Sequence, residues 1–258
     1  MNLQAHIKVN SQQISPYVLL PGDPSRVDVI GTYLDDFTIL ANNREFRVGI
    51  GTFRGKRITV CSTGIGCPST AIAVEELVNA GAKYLIRVGT CGGAWRSDIP
   101  TGSLIIPTAS VRDEGTTIEY IPQGFPAVAN FDIVNKLILS AEKENAKYFV
   151  GINRTHDAFY GDQKSITKWG EYLLSERWKN SDTPILSSEM ESSALFVIAS
   201  LRNVKAGAIF AVNANPEPLK DRVNGKDTPV VTESSEEISK QTVDAMIRIA
   251  LETVLKLP

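Results

Sequence analysis

The chain predicts an α/β fold, a three-layer α/β/α sandwich around a mixed, mostly parallel central sheet. Two observations carry this expectation. Short apolar runs bounded by glycine, proline or asparagine alternate with stretches in which apolar residues recur at helical spacing. The composition also stays even along 258 residues, 43% of them hydrophobic, without a Pro/Ser/Gly-rich linker, so a single domain over 1–258 is expected.

In chain order, Tyr17 to Leu20 is a short apolar strand, followed by the turn Pro21-Gly22-Asp23-Pro24-Ser25-Arg26. Val27, Ile30 and Leu34 then recur as on a helix. A strand, a glycine turn and a helix start can hold an anion on backbone N–H groups, and Arg26 would add a charge-assisted contact. Arg47 to Phe53 and Arg57 to Ser62 read as a hairpin turning at Arg54-Gly55-Lys56, with Arg44 on the loop that enters it. Thr63-Gly64-Ile65-Gly66 then leads to an amphipathic helix, Ala71 to Val78, closed by Gly81. This glycine link lacks the GxGxxG pattern, and no acidic residue ends the next strand, so a dinucleotide site is not expected.

That next strand is Tyr84-Leu-Ile-Arg-Val-Gly-Thr-Cys-Gly-Gly93, which delivers Arg87 and Thr90 at its carboxyl end, where ligands collect in open α/β sheets. Arg87 fits either an anion site or a buried ion pair. Ser103 to Pro107 is a further strand, Ile133 to Asn145 a helix and Tyr148 to Ile152 another strand. The segment after it, 153–163, carries Phe159 and Gln163, an aromatic ring and an amide suited to a planar heterocycle. Ser187 opens a helix running to about Arg202, with Glu189 and Glu191 near its start. Residues two apart cannot share a helix face, so only one of these carboxylates is expected to reach a given pocket. Ala206 to Val212 is the last strand, Asn213 follows it, and Ser235 to Lys256 is the terminal helix.

A formal net charge of −2 supplies no basic field for nucleic acid or anionic membrane. The N-terminus lacks a signal peptide's basic start and apolar core, and no apolar run is long enough to span a bilayer, so a cytoplasmic location is expected. Cys61, Cys67 and Cys91 form no CxxC pair, and are expected as small buried residues rather than disulfides or zinc ligands.

Six ordered motifs together resemble the hexameric nucleoside phosphorylases, the nucleoside phosphorylase-I family. They are Pro21-Gly-Asp-Pro-Ser-Arg26, Asn43-Arg-Glu-Phe46, Ser62-Thr-Gly-Ile-Gly66, Ile86-Arg-Val-Gly-Thr90, Phe125-Pro-Ala-Val128 and Ser188-Glu-Met-Glu-Ser192. The resemblance spans nearly the whole chain and is strongest to the uridine phosphorylases. It implies a pentosyltransferase with nucleoside and inorganic phosphate as its small-molecule substrates and no resident cofactor. Phosphate would be held by Gly22, Arg26, Arg87 and Thr90, with Arg44 reaching in from a neighbouring subunit. Glu191 would bind the ribose 2′- and 3′-hydroxyls, Met190 would lie against the sugar and the neighbour's His6 would meet the 5′-hydroxyl. The implied assembly is a homo-oligomer in which a dimer completes the site, as a trimer of dimers. A monovalent cation, K+ among them, is implied at Glu45, Ile65 and Ser69.

The same resemblance implies that Phe159, Gln163 and Asn213 meet the base. Purine phosphorylases of the family place a general-acid aspartate after the last strand, where this chain has Asn213 or, in another alignment, Pro216. Neither gives up a proton, and a departing uracil needs protonation less, so uridine is the expected substrate, with a purine nucleoside as the alternative. The arginine that uridine phosphorylases place shortly after the glutamine is absent, and Lys164 or Lys168 would have to replace it as a point charge. A nucleosidase or a non-catalytic nucleoside-binding protein remains as a lesser alternative, and the arginine trio Arg26, Arg44 and Arg87 speaks against both.

Overall fold

The computed structural model describes residues 2–93, 99–159, 185–213 and 236–258. Its strands are β1 (Tyr17–Leu20), β2 (Asp35–Asn43), β3 (Phe46–Phe53), β4 (Lys56–Cys61), β5 (Tyr84–Gly93), β6 (Leu104–Asp113), β7 (Ala127–Val128), β8 (Tyr148–His156), β9 (Ile185–Glu189) and β10 (Lys205–Val212). The helices are α1 (Ser25–Gly31), α2 (Cys67–Asn79), α3 (Thr117–Tyr120), α4 (Phe131–Lys143), α5 (Ser192–Leu201) and α6 (Glu236–Leu255).

The α/β class and the mixed sheet are as the sequence predicts, but the sheet is not an open layer. It runs β2-β3-β4-β1-β5 and then closes on itself: β5 pairs with β10, β10 with β6, β6 with β8, β8 with β9, and β9 returns to β5. Parallel ladders hold more of the paired residues than antiparallel ones, as the sequence predicts. Among the described residues, β1–β4, β1–β5, β5–β10, β6–β8 and β8–β9 are parallel, and the other five ladders are antiparallel. β2 escapes sequence reading because Asp35-Asp36-Phe37-Thr38 lacks a clean alternation. As an edge strand with two register shifts, it needs none.

The helices gather in two pairs against the sheet, α2 with α5 and α4 with α6. Residues 192–199 of α5 are all buried, which is why this helix reads as apolar on every side. Asn130 caps α4, its side chain accepting the Ile133 N–H at 3.3 Å. Cys61, Cys67 and Cys91 are buried and unbridged, as expected. No described helix is long and apolar enough to cross a membrane.

α4 lies directly on β10 at Gly207, where an added Cβ would stand 2.4 Å from Ile133 Cγ2. Gly207→Ala is therefore expected to cost about 1–3 kcal/mol of stability, read as a lower unfolding midpoint in denaturant. An unchanged midpoint would mean that α4 can stand off this strand at no cost.

One irregularity of β5 positions the site. β1 pairs with it over Tyr84–Arg87 and β9 over Gly92–Gly93, while β10 runs alongside from Tyr84 to Cys91. On the β1/β9 side, Val88 to Cys91 therefore has no strand partner among the described residues. Ligand clefts of α/β sheets open where neighbouring strands part in this way.

Candidate active site

Arg87 sits at the start of that opening, 4% exposed. Its Nε donates to Glu189 Oε2 at 3.1 Å and its Nη2 to Glu191 Oε2. The buried ion pair is therefore present, and the third nitrogen, Nη1, is buried without a hydrogen-bond partner. A Cβ on Gly22 would lie 3.7 Å from that nitrogen, so the glycine keeps the space over it open. An orphaned guanidinium N–H beside a glycine turn is a place for an acceptor to arrive from outside the protein.

Arg26, in the first turn of α1, is the second cation here. Burial lowers its pKa, Asp23 opposes that, and the positive charge of Arg87 lowers it further. The two guanidinium groups therefore feel each other. No described residue forms a hydrogen bond or ion pair with the Arg26 side chain. Two cations in electrostatic reach, one with an unused donor, have the chemistry to receive an anion. Thr90, half-buried, lies three residues along β5 on the stretch that has one strand neighbour.

The two glutamates correct the sequence reading. Ser187 and Ser188 do not open a helix; they pair with Gly93 and Gly92 of β5 and with Asn153 and Arg154 of β8, so Glu189 ends strand β9. Glu191 is the N-cap of α5 with φ −138°. Because the two flank a strand-to-helix turn rather than sharing a helix, both carboxylates reach Arg87. Glu189 is saturated: it accepts from Arg87 Nε, Asn153 Nδ2 at 2.9 Å, Thr155 Oγ1 at 2.7 Å, Ser192 Oγ at 2.7 Å and the N–H groups of Glu191 and Ser192. Burial raises its carboxyl pKa, and Arg87 with these donors outweighs burial and holds it below the ordinary glutamate value. Glu191 has fewer donors, the Gly66 N–H at 2.7 Å, the Met190 N–H at 3.3 Å and Arg87. Burial and the negative charge of Glu189 push its pKa up despite Arg87. Glu191 is accordingly the carboxylate with capacity left for a ligand's hydroxyls. Met190, half-buried between the two, receives the Cys67 thiol on its carbonyl at 3.3 Å.

His6 and Arg44 lie elsewhere, and together. The Asn43 Nδ2 donates to the His6 carbonyl at 2.8 Å, the His6 ring stands edge-on to Phe46, and His6 Nδ1 is 2.7 Å from Glu76 Oε1. Arg44 is exposed at the β2–β3 turn with φ 55°. Neither makes a hydrogen bond to Arg87, Arg26 or Glu191 within the chain. Glu45 and Ser69 do meet, Ser69 Oγ lying 3.0 Å from Glu45 Oε1 and against the Thr63 carbonyl, while Ile65 is 78% exposed on the loop between them. Asn213 leaves β10 with its N–H donated to the Cys91 carbonyl at 3.3 Å, which continues the β5–β10 ladder at the carboxyl ends of the two strands. Phe159 is half exposed beyond β8. Gln163, Lys164, Lys168 and Pro216 lie outside the described residues. Sequence reading passed over Asn153, and counted Gly66 only as part of a motif. A buried amide inside an apolar strand and a glycine N–H carry no local signal of the partner that reaches them from β9 and α5.

Comparison with known proteins gives the family. The model of the phosphorylase superfamily matches residues 16–256. A guanosine phosphorylase from Halorubrum lacusprofundi is 35% identical over 257 residues, covering 100% of both chains. A uridine phosphorylase from Treponema pallidum is 38% identical and covers 96% of this chain and 92% of its own. Among solved structures, the uridine phosphorylase of Vibrio fischeri has a TM-score of 0.84 at 36% identity, covering 100% of this chain and 99% of its own. With a family model spanning nearly its whole length and relatives of this identity, the chain belongs to the phosphorylase superfamily, among the nucleoside phosphorylases.

Proposed function

We propose that the protein catalyses the reversible phosphorolysis of uridine, in which uridine and phosphate give uracil and ribose 1-phosphate. The observation that carries the phosphate half is the unpartnered Arg87 Nη1 under Gly22, with Arg26 in electrostatic reach. Phosphate dianion would lie on Arg87, Arg26, the Gly22 turn and Thr90, with Arg44 and His6 brought by a neighbouring copy of the chain. Glu191 would take the 2′- and 3′-hydroxyls, and Met190 the sugar face. The C1′–N1 bond breaks as a phosphate oxygen closes on C1′, through an oxocarbenium-like transition state. The electron pair of the broken bond leaves with uracil, and the proton that phosphate carried balances it. No covalent enzyme intermediate is needed, and the rate gain comes from positioning and electrostatics. A monovalent cation on Glu45, Ser69 and the Ile65 backbone would brace the turn bearing Arg44.

The preference for a pyrimidine rests on Asn213. At the end of β10 an amide can hydrogen-bond a departing base but cannot protonate it. A purine reading keeps its place because the guanosine phosphorylase relative matches the chain from end to end. Free base released from uridine and from inosine, with and without phosphate, separates the two. The parent is expected to release uracil only with phosphate and to release little hypoxanthine. Asn213→Asp is expected to raise inosine cleavage by about a hundredfold, the lower range for a positioned general acid. Efficient inosine cleavage by the parent would overturn the pyrimidine assignment.

A further inference from the structure

We propose that Asn153 is a positioning residue for the phosphate site, acting on Arg87 through the Glu189 carboxylate; this rests on the phosphorolysis reading above. Asn153 lies in β8 opposite Ser187 and is fully buried. Its orientation is fixed by chemistry. The Ser187 hydroxyl donates to Asn153 Oδ1 at 2.8 Å, which turns Nδ2 toward Glu189 Oε1 at 2.9 Å and toward the hydroxyls of Ser192 at 3.1 Å and Ser110 at 3.3 Å. The amide thus gives its donors to the carboxylate side and its acceptor to the strand side.

What this does for Arg87 follows from how the Glu189 oxygens are divided. Oε1 is taken by Asn153, Thr155 and Ser192, which leaves Oε2 for Arg87 Nε. Fixing the carboxylate plane fixes the guanidinium plane, and with it the direction of Nη1. A β8–β9 crosslink alone would need only the Ser187 contact. The second half of the amide is spent on the charged partner of the arginine.

Among the described residues, few charges face this cluster. Arg87 and the Cys91 thiol come from β5, Glu191 from the start of α5 and the Cys67 thiol from α2, and burial pushes both thiols up so that they stay neutral. Arg154, next to Asn153 on β8, pairs with Asp113 of β6, which lies two register positions further along. Replacing the amide by an isosteric carboxyl therefore places a second ionisable group within hydrogen-bond distance of Glu189. The pair would share one proton, keeping the native charge of −1, until the pH rises through the pair's upper pKa and a second negative charge appears behind Arg87.

The test measures phosphate binding by calorimetry and the KM values for phosphate and nucleoside across the neutral and alkaline range, for the parent, Asn153→Leu and Asn153→Asp. Asn153→Leu is expected to weaken phosphate about tenfold, the worth of a hydrogen bond to a charged group, with nucleoside KM little changed. Asn153→Asp is expected to bind phosphate nearly as the parent does at neutral pH and progressively more weakly above it, an alkaline loss that the parent lacks. The isosteric variant keeps the test open if the leucine variant does not fold. A phosphate pH profile of Asn153→Asp that overlays the parent's would overturn the inference and leave phosphorolysis standing. So would a loss in both variants that falls equally on the two substrates. A parent that binds no phosphate would overturn the functional reading, and this inference with it.

Discussion

Arg87→Ala is expected to reduce phosphorolysis by more than about a thousandfold, the scale for removing a preorganised charged donor at a reacting anion. It is also expected to destabilise the fold by about 3–5 kcal/mol, because Glu189 and Glu191 are left buried without their cation. The pH dependence identifies the cause. Without Arg87, desolvation and mutual repulsion raise both carboxyl pKa values in the folded state above the unfolded value of about 4.3. A raised folded pKa means that folding favours the protonated form, so the variant recovers as pH falls toward the unfolded value and is worst above its folded pKa. Thermal melting of parent and variant over a pH series should give a gap that narrows on acidification. A gap independent of pH would place the damage in packing and remove the paired-carboxylate account.

The second large effect concerns the shared site. Arg44→Ala and Glu191→Ala are each expected to be inactive alone, since in the proposed shared site one would remove a cation offered to a neighbour's pocket and the other a ligand of the home pocket. In a two-fold dimer that mixes them at random, one site in each heterodimer is intact, so mixing should restore about a quarter of parental activity. Initial rates after dissociating and recombining the two variants measure this directly. Absence of any recovery, with mixed oligomers present, would place Arg44 in its own chain's site or in none. The structural support is the packing of His6 against Asn43 and Phe46 beside the β2–β3 turn that bears Arg44, with no hydrogen bond from either residue to Arg87 within the chain.

Much of this architecture was legible in the sequence, and the exceptions have physical causes. β5, β10 and the β3–β4 hairpin were readable because strands buried on both faces are continuous apolar runs. β9 was not, since Ile185-Leu-Ser-Ser-Glu189 running into Met190-Glu-Ser-Ser looks like a capped helix start until the pairing partners on β5 and β8 are known. That one boundary decided the chemistry. On a helix the two glutamates diverge, whereas across a strand-to-helix turn they converge on one guanidinium. Closure of the sheet was equally hidden, because nothing in β5 itself announces that it borders β1, β9 and β10 in turn. Arg87 could be singled out because a charged residue inside an apolar strand stands out, whereas Arg26, Thr90, Glu191 and Asn213 became candidates mainly through the family resemblance. Asn153 was missed because its work is done on another residue rather than on a ligand.

The opening in β5 has a consequence for how this pocket responds to change. Over Val88 to Cys91 the main chain has a strand on one side only, so the groups on the other side must be satisfied by something other than a ladder. Such donors belong to the polypeptide and not to any side chain. They neither titrate nor disappear when a residue is exchanged. In the proposed phosphate site, any affinity such donors supplied would be invisible to alanine scanning and constant with pH, a floor beneath the charge-dependent part of anion recognition. Evolution can retune the arginines and carboxylates around that floor without losing it.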